Sequence, residues 1–190
     1  IDDISENGIC WRTEETPAIV EKFMTAGIDA LFLPFCDFGE EQAAAQIAAS
    51  FHLPVLIWGA RDERPNTDVS RGRDTQCGMF AATKVLRRHG VKFSYIYNCE
   101  TESDAFAQGY DRFIRTAAVL KALRNLRLAK IGDRPVPFMS VMTNEADLIR
   151  RMGVTVIPIS PAEVSRRAKE IVEKKAEDFL SYYNDLTARM

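Results

Sequence analysis

The chain has 190 residues, 46% hydrophobic and 27% charged, ordinary values for a globular protein with one good core or two small ones. Its 25 basic and 27 acidic side chains leave a net charge of -2, which gives no electrostatic reason to expect nucleic acid or an anionic membrane as partner. No apolar run nears the roughly 18 residues of a membrane span and no signal-peptide pattern opens the chain, so a soluble, cytoplasmic protein with small ligands is expected.

Helix and strand signals alternate from the start. Thr16-Pro17 followed by Ala18 to Met24 has a cap, a first-turn proline and helical spacing, and stops at Gly27. Ile28 to Phe35 is a nearly continuous apolar run, as in a strand buried on both faces. Glu40 to Phe51 is alanine-rich without a breaker and reads as a crossover helix. Leu53 to Trp58 is the next strand, Thr75 to His89 a helix closed by Gly90, and Val91 to Tyr97 a third strand. This order predicts an α/β fold with a doubly wound, Rossmann- or flavodoxin-like parallel sheet and right-handed crossovers.

Past Asn98 the pattern changes. A long helix from Thr101 to about Leu123 exceeds a routine crossover and suggests a bridge between domains. Leu126 to Ile131 reads as a strand, and the Gly132-Asp-Arg-Pro-Val-Pro137 loop forbids continued helix or ladder. A capped helix from Thr143 ends at Gly153, Val154 to Ile159 is another strand, and the chain finishes in one charged helix from Pro161, with Ser160 and Glu163 as a capping pair. The expected division is residues 1–100 as a first α/β domain, 101–125 as a bridging helix and 126–190 as the start of a second α/β unit. One short β-α-β unit with one extra helix cannot cover both faces of a sheet, so the second unit looks unfinished.

Cys10, Cys36, Cys77 and Cys99 show no C-x-x-C spacing, and His52 and His89 lie far from any cysteine at finger spacing. No structural zinc or other metal site is expected, and the thiols are read as free and mostly buried. Both histidines end helices, where the dipole favours them.

Three loops at the carboxyl ends of the predicted strands concentrate charged and aromatic residues, and ligands of open parallel sheets bind at that edge. Asp37 and Glu40 follow the first strand, Trp58, Arg61 and Glu63 the second, and Arg73, Asp74 and Cys77 lead into the next helix. Each has a local alternative. Asp37 and Glu40 serve equally to cap a helix, Arg61 and Glu63 to form a solvated turn, and Trp58 to close its strand as core. Arg73 and Asp74 suit either a loop-fixing ion pair or a hydroxyl contact, since the planar guanidinium fork serves both. Cys77 stands in a helical first turn, a position that lowers thiol pKa, although packing explains a small thiol as well.

Taken in order, Asp37-Phe-Gly-Glu40, Arg71-Gly-Arg-Asp74 with Cys77-Gly78, and Gly132-Asp-Arg-Pro135 make the chain resemble, from about Ile28 to Ile159, the N-terminal half of the L-fucose isomerase / L-arabinose isomerase superfamily, its fucose isomerase-like members most of all. The resemblance implies an oligomeric aldose–ketose isomerase with two N-terminal Rossmann-like domains and a C-terminal catalytic domain. It also implies a divalent metal, typically Mn2+, that polarises the substrate carbonyl during ene-diol proton transfer. Those ligands belong to the C-terminal half, so none is assigned here and no catalytic residue is expected in this stretch.

The expectation is therefore a fragment, beginning at Ile1 without an initiator methionine. It would supply subunit contacts and pocket walls for a sugar substrate, with no nucleic acid or membrane partner. The alternative is a stand-alone sugar-binding or regulatory module. A nucleotide-binding domain is disfavoured because no G-x-G-x-x-G or G-x-x-x-x-G-K-[ST] follows any strand.

Overall fold

A computed structural model describes residues 1, 3–64, 72–174 and 176–188. It has two units, Ile1–Lys121 and Ala122–Met190.

The first unit is built on three parallel strands, β1 (Leu31–Phe35), β2 (Val55–Gly59) and β3 (Phe93–Ile96), in the order β1-β2-β3. Register pairs Leu31 with Val55 and Val55 with Phe93, so all three strands end at one edge. Every residue of β2 is buried, which is why Val-Leu-Ile-Trp-Gly lacks the alternation of a half-exposed strand.

Alternate side chains of the sheet feed two cores. Leu31, Phe35, Val55 and Ile57 pack with Ile19 of α1 (Thr16–Ala26), Ala45 and Ala48 of α2 (Glu41–Ala49), and Ala82 and Leu86 of α3 (Thr75–Arg88). Leu56, Trp58 and Ile96 face the other way and meet Phe106 and Phe113 of α4 (Asp104–Leu123). Trp58 and Phe106 meet edge-on with centroids 5.0 Å apart, and Phe32 joins them. Helices thus cover both faces of the sheet. The alanines of α2 let it approach closely, and Gly27 ends α1 in the left-handed region that a Cβ disfavours. Short 3-10 turns at Glu6–Gly8 and Thr13–Glu15 precede α1.

The second unit holds two parallel strands, β4 (Arg127–Ile131) and β5 (Thr155–Ile159). They flank α5 (Glu145–Met152), which Asn144 caps by accepting from the amide of Asp147 at 3.2 Å. The terminal helix expected from Pro161 is described as α6 (Pro161–Lys174) and α7 (Ala176–Ala188), on either side of residue 175, which lies outside the described residues. Their compositions differ. In α6, Glu163 pairs with Arg167 at 2.8 Å one turn on, so it does not complete the expected capping box, and Ser160 alone caps through the amide of Ala162 at 3.2 Å. In α7 there is no basic residue and a half-exposed aromatic face instead. Val154 is the one buried residue of this unit among those described, while Leu128, Ile131, Val136 and Phe138 stay exposed.

Candidate functional site: the carboxyl edge of the first sheet

The loops after β1, β2 and β3 meet over the first turn of α3. Asp37, just past β1, accepts through Oδ1 from its neighbour's amide at Phe38 (2.7 Å) and from the amide of Asp74 (2.9 Å). The same loop lies directly on α3: a Cβ at Gly78 would stand 1.9 Å from the carbonyl oxygen of Phe38. Gly39 turns the chain with φ +73, and Glu40 then caps α2 by accepting from the amide of Gln42 at 3.0 Å. Glu40 therefore does the capping that its position allowed, whereas Asp37 caps no described residue of α2 and ties its loop to the residue ahead of α3 instead.

The second loop is tied in through Asp62. Its Oδ1 accepts from the amide of Thr75 at 2.8 Å and its Oδ2 from the amide of Gln76 at 3.0 Å. Thr75 is fully buried, and its hydroxyl lies 2.5 Å from both Asp62 Oδ1 and the carbonyl of Ala60. One hydroxyl proton serves only one of these acceptors at a time. Asn98, past β3, completes the hub by donating to Ala60 O at 3.1 Å and Thr75 Oγ1 at 2.9 Å. Loops from β2 and β3 thus converge on one threonine, and the loop from β1 holds the residue before it.

Arg73 reaches back across the second loop. Its Nη2 donates to the carbonyl of Arg61 at 3.2 Å and to Glu63 Oε1 at 3.3 Å, so the ion pair at this position joins Arg73 to Glu63. A Cβ at Gly72 would sit 2.8 Å from Glu63 Oε2, which keeps that carboxylate against the turn. Arg73 Nε is buried without a hydrogen-bond partner among the described residues. Arg71 lies outside them.

Trp58 departs from this cluster, since only 6% of its surface is exposed and its ring packs against Phe32 and Phe106 on the α4 side. Cys77 is exposed on α3. The expectation of mostly buried thiols holds for Cys99, while Cys36 and Cys77 are exposed and Cys10 is intermediate. Cys36 stands just past β1 in a surface loop, and Cys77 faces outward from its helical turn, so neither reaches a core. Partial burial pushes the Cys10 thiol up, with the charge of Glu15 adding to the shift.

Asp62, Thr75 and Asn98 are the parts of the hub that spacing alone undervalued. Thr75 follows Asp74 where helix caps are expected, and Asn98 ends a strand; both are local signals for polar residues held at an edge. Their mutual contacts span 13 and 23 positions and depend on the parallel register.

Among the described residues no group of three or more His, Cys, Asp or Glu side chains is arranged to hold a metal ion. The acids nearest the hub are already engaged: Asp37 takes two backbone amides and Asp62 uses both oxygens. The donor set present does not fit a divalent cation, and no chemical step is derived through one. No helix is long and apolar enough to cross a membrane among the described residues.

Comparison with known proteins adds the context. The chain is 24% identical over 172 residues to a sulfoquinovose isomerase of Priestia aryabhattai and, to the same extent, to one of Priestia megaterium, which covers 90% of this chain and 38% of each relative. A sulfoquinovose isomerase of a Clostridium species is 27% identical over 143 residues, covering 74% of this chain and 31% of that protein. The chain thus spans less than half the length of these relatives. Residues 1–124 match the family described as fucose/sulfoquinovose isomerase, N-terminal domain, and the chain belongs to that family.

Proposed function

We propose that this chain is the N-terminal, non-catalytic region of an aldose–ketose isomerase, and that the carboxyl edge of its first sheet forms a wall of a sugar pocket or a contact between subunits. The observation that carries the reading is the convergence of three loops on the N-terminal end of α3 around buried Thr75, which presents Arg61, Glu63 and Arg73 on one braced edge. Such bracing is what a wall requires: polar groups fixed before a substrate arrives rather than ordered by it. Arg73 supplies planar donors for a sugar hydroxyl or a partner's carboxylate.

Metal-dependent isomerisation, with Mn2+ polarising the carbonyl, is assigned to a further part of a longer protein. The short span relative to the sulfoquinovose isomerases supports this division. Fucose, arabinose and sulfoquinovose are the substrates to assay.

Calorimetric titration of the 190-residue chain with Mn2+ tests the division of labour. The expected result is binding no stronger than that of an unrelated acidic protein. One-to-one binding with micromolar affinity would overturn it. In the longer protein, Arg73→Ala is expected to lower isomerase activity or change the oligomer mass; unchanged values for both would reduce this arginine to ordinary surface chemistry.

A further inference from the structure

A concavity of about 430 Å³ lies in the first unit between α3 and β3, and its two ends differ. At one end Asn98 donates to Thr75 at 2.9 Å, and Gln76 and Tyr97 join the lining. At the other the Arg87 guanidinium stands over the Phe93 ring, 5.9 Å from its centroid. On α3 the lining positions Gln76, Phe80, Lys84 and Arg87 recur every three or four residues, so one face of the helix supplies them. Tyr95 and Tyr97 follow Phe93 at two-residue steps and share its side of the sheet, the side packed by α1, α2 and α3.

Two features set the chemistry of this site. Phe80, Tyr95 and Tyr97 are 67%, 69% and 63% exposed, a concentration of rings in water around a space of the size that small ligands fill. Lys84 and Arg87 add two positive charges one helical turn apart. No carboxylate lines the space, and neither cation has an ion-pair partner among the described residues. The lining is therefore rich in donors and carries no charged acceptor. Sugar hydroxyls donate as well as accept and are poorly served by such a set, whereas an anionic group accepts only. The rings call for a flat apolar body beside that anion, since stacked or edge-on aromatic contact is what they offer.

We propose that the α3–β3 groove binds a small, flat aromatic anion of the aryl or nucleoside monophosphate kind, with its anionic group on Lys84 and Arg87 and its ring against Phe80 and Tyr95. Arg61, Glu63 and Arg73 are not part of this lining, so the assignment does not rest on the sugar-wall reading of the carboxyl edge.

The test is calorimetric titration of the 190-residue chain with adenosine monophosphate and with phenyl phosphate, beside inorganic phosphate and adenosine as half-ligands. At least one of the two aromatic phosphates is expected to bind one-to-one with Kd below about 0.5 mM, and each half-ligand at least about tenfold more weakly. Lys84→Gln with Arg87→Gln, and separately Tyr95→Ala, are each expected to weaken binding by at least about tenfold, while Lys84→Arg, which keeps the charge, holds it within about threefold. All three positions are exposed, so melting temperatures should stay at the wild-type value and separate lost binding from lost fold. Lys92→Gln, an exposed cation outside the lining, is expected to leave binding unchanged. No binding of either aromatic phosphate up to about 5 mM, inorganic phosphate bound as tightly as both, or affinity indifferent to the charge or ring substitutions would each overturn the assignment.

Discussion

Gly78 has room for a hydrogen and nothing more, because the Phe38 carbonyl occupies the space of a Cβ. Gly78→Ala must therefore part the first loop from α3, and we expect a loss of about 2–3 kcal/mol in urea unfolding with an unchanged m-value. Asp62→Ala strands two backbone amides at the same helix end and is expected to cost about 2 kcal/mol, whereas Asp62→Asn, which keeps an acceptor, costs less. Equal losses for the two would show that the cap contributes nothing through its hydrogen bonds. Cys10 gives a pH test. Its folded thiol value lies above the ordinary one, so its contribution is fully present below the unfolded value and is lost as pH rises through the folded one. Alkylation of Cys10 should accordingly trail that of the exposed Cys36 and Cys77 at neutral pH and speed up in alkaline buffer; equal rates at neutral pH would contradict this.

At the scale of elements, the strands were legible wherever burial on two faces removed alternation, as in Val55–Gly59, and the helix ends wherever a glycine had to turn left-handed, as at Gly27 and Gly153. Capping by Glu40 was legible too, since a carboxylate just ahead of an alanine-rich run has few other local roles. The Thr75 hub was not, because its partners come from the separate loops after β2 and β3 that only the parallel register brings together. Helix α4 illustrates how packing assigns an element: Phe113 is buried against Leu56, Trp58 and Ile96 of the first sheet. Phe113→Ala should cost about 3–4 kcal/mol and lower the melting temperature; a change below about 1 kcal/mol would mean that α4 does not cover this face.

For the whole molecule, the two units differ in what they bury. The first has two cores on opposite sides of its sheet, while the second leaves the side chains of β4 exposed and buries Val154 alone among the described residues. Residues 1–121 should unfold cooperatively when produced alone, and residues 122–190 should show broad, non-cooperative melting with exposed apolar surface. A sharp transition in the isolated second unit would contradict that expectation. The same contrast fits a region whose second unit is completed by more protein, the arrangement on which the assignment of catalysis elsewhere depends.

The most direct test of that assignment is the mass of the native gene product in extracts of its own cells, detected with an antibody raised against this chain. A species of more than twice 21.4 kDa is predicted, with isomerase activity that co-purifies with it. A product of 21.4 kDa would contradict the account and leave the chain to act alone.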